Sequence, residues 1–344
     1  MMKVGILGAS GYTGYELVRL LRQHPKVEIT ALGAHANAGQ HMGDLFAGAV
    51  TWQDLPRLQK IDDLPLDTLD VVFCALPHGQ SVSTVAALFA LANVQVLIDL
   101  SNDHRLSDYT GYEGMGDGHP HPEINSQAVY GLTEIHRDQI TSTRLIANPG
   151  CYPTSILLAL LPLLKAGLID PDYIIVNSAS GTSGAGRGAK IGQLHSEISE
   201  SFKAYGLGVH RHLLEIQEQA AQLANLKRKI VFNPHLLPMN RGILSTLTLM
   251  GDAEAAQACL EAAYAGEAFV QAAPMGTSIT TKSVRGTNLC HMAVHKGANV
   301  DQFILTSAID NLGKGAAGQA VQNMNVALGY EEGLGLSHLT VLEP

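Results

Sequence analysis

Hydrophobic positions in the first third of the chain switch between two periods. Val4-Gly-Ile-Leu7 is a short apolar run, Leu17, Val18, Leu20 and Leu21 recur at helical spacing, and Val27-Glu-Ile-Thr-Ala-Leu32 resumes a strand pattern. Met1 to about Ala34 therefore reads as one strand-helix-strand unit. The texture continues with a strand at Asp70–Pro77, a helix at Ser81–Leu91 and a strand at Val94–Asp99, while residues 41–69 and 123–143 carry little periodicity. Next, the β-compatible run Arg144–Ala147 is broken by Pro149-Gly150, and Ile156–Leu161 has helical length and Leu/Ala composition. Pro153 suits a first helical turn, so Cys151 falls at or just before a helix N-terminus.

Beyond Cys151 the strands lengthen. Tyr173–Asn177, Ile230–His235, Gly242–Met250, Thr280–His295 and Phe303–Ile309 read as strands, several joined without helices. Helices are expected at Glu215–Leu223 and Ala253–Ala265, and Asn311–Asn323 leads a final helix. Strict alternation predicts a parallel sheet and adjoining strands predict a mixed one. The expected fold is α/β: a Rossmann-type dinucleotide-binding domain, then an α+β domain with a mixed sheet, dividing near Cys151.

Composition narrows the function. A chain of 344 residues has room for two cores, and 46% hydrophobic content fits an ordinary globular α/β protein. The formal charge of -9, with no basic block longer than Lys227-Arg-Lys229, argues against nucleic acid as a partner. Cysteines 74, 151, 259 and 290 show no CxxC spacing, so neither a zinc site nor a disulfide framework is expected. His119-Pro-His-Pro122 reads as an irregular loop, and no metal is expected. The chain runs directly into its first strand without a signal pattern or an apolar run of membrane-spanning length, which predicts a cytoplasmic protein.

Several stretches carry candidate chemistry. Gly8-Ala-Ser-Gly11-Tyr-Thr-Gly14 lies between a strand and a helix, where glycines let a pyrophosphate approach a helix N-terminus and Ser10 and Thr13 add hydroxyl donors. After the second strand, Gly33-Ala-His-Ala-Asn-Ala-Gly39 lacks the acid that usually receives a ribose 2′-hydroxyl, which favours NADP, with His35 and Asn37 available to its phosphate. Cys151 at a helix start is placed where the macrodipole favours a thiolate nucleophile. Ser178–Gly188, rich in glycine and hydroxyls and holding Arg187, suits an anionic group, and Arg241 is a second candidate for one. His210 and His212, on the same side of an extended segment, are alternative acid/base partners for the cysteine, with Glu215 able to orient one of them. Asp99, Ser101 and Arg105 follow a strand end, where ligands of doubly wound sheets bind.

These residues together resemble the N-acetyl-gamma-glutamyl-phosphate reductases, the arginine-biosynthesis branch of the semialdehyde dehydrogenase group. The signature is Asn148-Pro-Gly-Cys-Tyr-Pro-Thr154, supported by Asp99–Arg105, Ser180–Arg187, His210-Arg-His212, Pro234–Met239 and Gly315–Asn323. The resemblance implies a homo-oligomer, dimer or tetramer, that reduces an acyl phosphate with NADP(H). It implies a discontinuous dinucleotide domain of residues 1–150 and about 312–344 around a catalytic and dimerisation domain of 151–311. Catalysis would fall to Cys151 with His210 or His212. Cofactor contacts would come from Gly8, Ser10, Gly11, Tyr12, Thr13, Gly14, His35, Pro77, Gly184 and Asn323, and substrate contacts from Ser101, Arg105, Asn148, Ser183, Arg187 and Arg241. Relatives carry Ser and Arg where this chain has Ala34 and His35, and phenylalanine where it has His104. Aspartyl phosphate, an N-acyl-aminoadipyl phosphate and a non-catalytic role sensing NADP(H) remain as alternatives.

Overall fold

The computed structural model describes residues 1–109, 112, 115, 118–227 and 229–336. They fold as two compact units, Met1–Pro149 together with the segment from Ala316 onward, and Gly150–Gly315.

The first unit is built on β1 (Met2–Leu7), β2 (Val27–Gly33), β3 (Val71–Cys74), β4 (Val96–Asp99), β5 (Ala128–Tyr130) and β6 (Leu145–Ala147). They form one sheet in the order β2-β1-β3-β4-β6-β5, every pairing parallel. Such sheets are covered on both faces, which is why β3 and β4 are buried at every position. The chain leaves β1 for one neighbour, β2, and later returns to its other side as β3. The carboxyl end of β1 is thus a topological switch point, where doubly wound sheets bind ligands. Residues 41–69, uninformative in sequence, hold one short helix and 3-10 turns. The final helix, Gly318–Ala327, packs on the Tyr12–Leu21 and Thr133–Ile140 helices, so the chain's last described part belongs to its first unit.

The second unit contains β7 (Ile169–Ser180), β8 (Lys203–Ala204), β9 (Val231–Leu236), β10 (Ile243–Gly251), β11 (Val270–Ala272), β12 (Cys290–Lys296) and β13 (Gln302–Ile309). The order β11-β12-β13-β10-β7-β9-β8 mixes antiparallel and parallel pairs. In β10 burial alternates: Ile243, Ser245, Leu247 and Leu249 face the core, and Leu244, Thr246 and Thr248 are half-buried on the other face. Over the core face lies the Cys151–Lys165 helix, packed on β7, β10 and β13 and flanked by the Arg211–Ala224 and Ala253–Ala263 helices. A buried hydroxyl chain pins it, Ser155 Oγ to Ser245 Oγ at 2.7 Å and Ser245 Oγ to Ser178 Oγ at 2.7 Å. Pro162 within this helix has no N–H for the Leu158 carbonyl four residues back. The Tyr264 hydroxyl donates to that carbonyl instead.

Several expected elements shift. The strand expected at Tyr173–Asn177 extends from Ile169 to Ser180, because pairing with β10 outlasts its apolar stretch. Thr280–His295 is instead a 3-10 turn at Thr281–Val284 and a strand from Cys290, since Gly286 and the Thr287 side chain turn the chain between them. The helix expected from Glu215 begins at Arg211.

Candidate functional site

At the carboxyl end of β1, Gly8 has φ +88° and Gly14 lies in the first turns of the following helix, beneath it. A Cβ on Gly8 would stand 2.2 Å from the Ala75 carbonyl oxygen, and one on Gly14 would stand 2.2 Å from the Gly8 oxygen. These two glycines let the loop close. Gly11 differs, since its Cβ would meet only the Gly8 oxygen at 3.4 Å, and it caps the Tyr12–Leu21 helix with no side-chain bond and no acid in the first turn. An uncapped N-terminus with a bare backbone at its mouth is a cradle for a pyrophosphate, so these residues fit a dinucleotide.

The second helix entrance, after β3, is built differently. Pro77 is exposed, but the Asp103 carboxylate accepts from Gly79 N–H at 3.0 and 2.8 Å and from Ser81 N–H at 3.2 Å, occupying the start of the Ser81–Phe89 helix. Beside it, buried Asp99 accepts from Ser81 Oγ at 2.7 Å, from Ser101 N–H at 3.0 Å and Oγ at 2.8 Å, and pairs with His104 Nδ1 at 2.8 Å. Burial works to raise the Asp99 carboxyl, but the His104 bond and charge and the serine bonds outweigh it and hold it below its ordinary value. The Ser101 hydroxyl, which also accepts from Asp103 N–H at 3.0 Å, is a fastening of this loop. Arg105 is buried, donating to Asn102 Oδ1 and the Leu100 carbonyl, both at 2.8 Å. Asn148 and Asn323 are buried partners: Asn323 Nδ2 donates to Asn148 Oδ1 at 3.1 Å and Gly131 O at 2.8 Å, and its Oδ1 accepts from Thr133. Burial and the neighbouring Asp99 charge push the Cys74 thiol well above its ordinary range, so that sulfur is inert core.

In the second unit Cys151 is the first residue of its helix, half-buried, after the uncapped N-cap Gly150. Glu215 Oε1 accepts from the Gly150 N–H at 2.8 Å, clamping the turn that presents the cysteine. Gly315 packs so closely that a Cβ there would lie 2.8 Å from Cys151 Cβ. His210 and His212 come together, ring centres 4.9 Å apart, each edge-on to the Tyr152 ring at 5.6 and 5.8 Å. The reason is not extension, as expected. His210 is the N-cap of the Arg211–Ala224 helix, its Nδ1 accepting from His212 N–H at 3.2 Å, and His212 is helical. Burial, with help from Arg211, lowers His210 to about 4. Tyr152 and Tyr205 share a hydroxyl bond of 2.9 Å, and burial raises both phenols, Tyr205 to about 12.

The anion-loop candidates lie beside the turn into β10. Gly181 N–H donates to Gly242 O at 2.9 Å, Thr182 N–H to Met239 O at 2.9 Å, and Ser183 N–H to Asn240 O at 3.1 Å. Gly184 and Arg187 are exposed on this loop. Ser183 is buried, its hydroxyl donating to Asn240 O at 2.7 Å and accepting from Asn311 at 3.0 Å, which makes it a tie between loops. Arg241 is held by Asp310 through Nε at 3.1 and 3.0 Å and Nη2 at 2.8 Å. Asp310 also accepts from Gly286, Leu312 and Gly313 N–H groups. Sequence reading passed over Asp310, because an isolated acid at a strand end carries no spacing signal.

Comparison with known proteins agrees with this division of labour. The semialdehyde dehydrogenase NAD-binding domain family matches residues 3–143, and the semialdehyde dehydrogenase dimerisation domain family matches 151–311. An N-acetyl-gamma-glutamyl-phosphate reductase of Rhodospirillum rubrum is 49% identical over 97% of both chains, and one of Pseudomonas fluorescens is 47% identical over 99% of this chain and 100% of its own. The chain belongs to the N-acetyl-gamma-glutamyl-phosphate reductase family. It is an oxidoreductase of the semialdehyde dehydrogenase group, and its first domain binds a nicotinamide dinucleotide. The fold is shared with Vibrio cholerae aspartate semialdehyde dehydrogenase II, at 18% identity and TM-score 0.72 over 96% of this chain and 98% of that one. Among the described residues no helix is long and apolar enough to cross a membrane.

Proposed function

We propose that the chain reduces N-acetyl-gamma-glutamyl phosphate to N-acetylglutamate semialdehyde with NADPH, releasing phosphate, through a thioester on Cys151. The observation that carries the reading is Cys151 at an uncapped helix start, its turn clamped by Glu215 and its neighbour Tyr152 flanked by two imidazoles. The relatives' shared name supplies the substrate.

The helix N-terminus stabilises the Cys151 thiolate, which attacks the acyl carbon and expels phosphate. N–H groups at that helix start are the oxyanion donors of the tetrahedral intermediate. A nicotinamide dinucleotide held at the Gly8–Gly14 loop would supply the hydride that the thioester needs for reduction to the thiohemiacetal level. An imidazole protonates the developing alkoxide and takes the hydroxyl proton back as the C–S bond breaks, which restores the thiolate and frees the aldehyde. His212 is the better candidate, because His210 spends Nδ1 on its helix cap and is held neutral by burial. Arg187 and Arg241 meet the substrate's phosphate and carboxylate, and Asp310 fixes the fork of Arg241. Arg105, Ser101, Asn148 and Ser183 contribute through the loops they tie. Tyr12 and Pro77 line the dinucleotide, whose domain comprises residues 1–149 and the described segment from 316, and buried Asn323 contributes by tying Gly131, Thr133 and Asn148 together.

The half-buried outer face of the mixed sheet, with Leu244, Thr246, Ile304 and Thr306, supports homo-oligomer assembly through the catalytic domain. A cytoplasmic location suits a reaction whose acyl phosphate and dinucleotide are both charged, water-soluble molecules.

The test is the reverse, phosphate-dependent oxidation of N-acetylglutamate semialdehyde with NADP or NAD. Aspartate semialdehyde and the N-acetylated aminoadipate semialdehyde serve as competitors. Preference for either competitor would overturn the substrate assignment, and absence of any turnover would overturn the enzymatic one.

A further inference from the structure

The loop after β2 lacks an acid, which explains why a 2′-phosphate is not repelled but not what attracts it. In that loop His35 is the one basic residue, and it is exposed. The structure brings a second cation to the same place from outside the strand-helix-strand unit. Ala34 N–H donates to Gln59 O at 2.8 Å and Gln59 N–H to Leu32 O at 2.9 Å. Gly39 N–H donates to Leu58 O at 2.7 Å and Leu58 N–H to Gln40 O at 2.9 Å. The stretch 57–59 is therefore laced to both ends of the loop, with Leu58 buried as its anchor and Arg57 and Gln59 exposed on either side.

Arg57 Nη1 donates to the Gly39 carbonyl at 2.9 Å, which pins the guanidinium on the loop. Among the described residues no carboxylate pairs with it. A guanidinium has five donors in a planar fork, and one is used here. In doubly wound domains the adenosine ribose is received at the end of the second strand, which is where this loop lies.

We propose that Arg57, assisted by His35, binds the 2′-phosphate of the dinucleotide and sets this chain's preference for NADP(H). The proposal rests on NADP(H) being the cofactor and names the residue that selects it. Nearest-motif reading overlooks Arg57 because it stands well past the strand, in a segment with no periodicity.

The experiment titrates the full chain with 2′,5′-ADP and with 5′-ADP by calorimetry, for the unmodified protein, Arg57→Gln, Arg57→Lys and His35→Asn. Circular dichroism checks that each variant is folded. Arg57→Gln is expected to weaken 2′,5′-ADP binding roughly 10- to 100-fold, the size of a lost charge-assisted hydrogen bond, and to leave 5′-ADP unchanged. Arg57→Lys is expected to recover part of the loss, and His35→Asn to show a smaller one. KM for NADPH should rise with KM for NADH unmoved. If the unmodified protein prefers 2′,5′-ADP and Arg57→Gln keeps that preference, Arg57 is not the selector, although NADP(H) stands. If the unmodified protein binds both nucleotides alike, the NADP(H) reading itself fails and takes the selector with it.

Discussion

Replacing Gly315 by alanine tests how tightly the nucleophile is positioned. The new Cβ would lie 2.8 Å from Cys151 Cβ, 3.1 Å from Ile309 Cδ1 and 3.2 Å from Cys151 Cα. Carbon atoms rest at about 3.5–4.0 Å, so the helix start carrying the cysteine must retreat by roughly 0.7 Å. Cys151 Cβ and Cα cannot swing away as the tip of a long side chain would, so the strain cannot be shed by one rotamer. Misplacement on the order of 1 Å costs about 100-fold in rate, and we expect kcat to fall roughly 10- to 100-fold. Overpacking costs about 1–3 kcal/mol and the Gly-to-Ala entropy gain returns about 0.4–1 kcal/mol, so the loss of stability is modest beside the loss of rate. Assays are kcat in the phosphate-dependent direction, the alkylation rate of Cys151 by iodoacetamide, and cofactor affinity, which should not change. Gly192→Ala, whose Cβ would meet only Lys203 Nζ at 3.8 Å, is the control. Unaltered kcat and thiol reactivity in folded Gly315→Ala would refute the positioning argument.

The fingerprint glycines should separate by role: Gly14→Ala fails in thermal melts because its Cβ strikes Gly8 and Ala9 backbone, whereas Gly11→Ala melts normally and binds the dinucleotide poorly. Equal effects in both assays would contradict this. Tyr264→Phe orphans the Leu158 carbonyl and should cost about 1–3 kcal/mol, seen by calorimetry as a lower melting temperature of the Gly150–Gly315 unit. His24 ties Asn325 through Nε2 at 3.0 Å and accepts from Lys26 N–H at 3.3 Å, which suits a neutral ring. Burial lowers it from its ordinary 6.5, partly offset by the Asn325 bond. The fold therefore takes up its proton later than the unfolded chain does. Stability from this residue is complete above about pH 6.5 and is lost as pH falls toward the lowered value. The denaturation midpoint of His24→Gln should depend less on pH over that window, and an identical slope would count against the tie.

Legibility followed the range of the interactions. The first unit's strands, apart from β5 in the aperiodic stretch 123–143, were readable because parallel sheets bury continuous apolar runs, and Gly8 to Gly14 because a tight turn onto a helix leaves few residue choices. Cys151 was legible through the Pro and Gly that break the chain ahead of it. What escaped depends on partners far away in sequence. Asp310 matters because β10 brings Arg241 to it, and Glu215 because its helix lies against the Gly150 turn. His210 looked like half of an extended pair until its ring proved to be a helix cap. His104, where relatives carry phenylalanine, is the partner that helps keep Asp99 ionised inside the sheet. The expectation that Arg105 and Ser101 reach substrate rested on loop position and on the family resemblance, and neither revealed that both side chains are hydrogen-bonded within their own loop.

Everything in the chemistry turns on the sulfur of Cys151 taking the acyl group. Mixing the enzyme with N-acetyl-gamma-glutamyl phosphate in the absence of NADPH, quenching in acid and analysing the peptides by mass spectrometry tests this directly. One N-acetylglutamyl group on the peptide containing Cys151, removed by hydroxylamine and absent from Cys151→Ser, is the expected result. An unmodified cysteine, with turnover retained by Cys151→Ser, would contradict it.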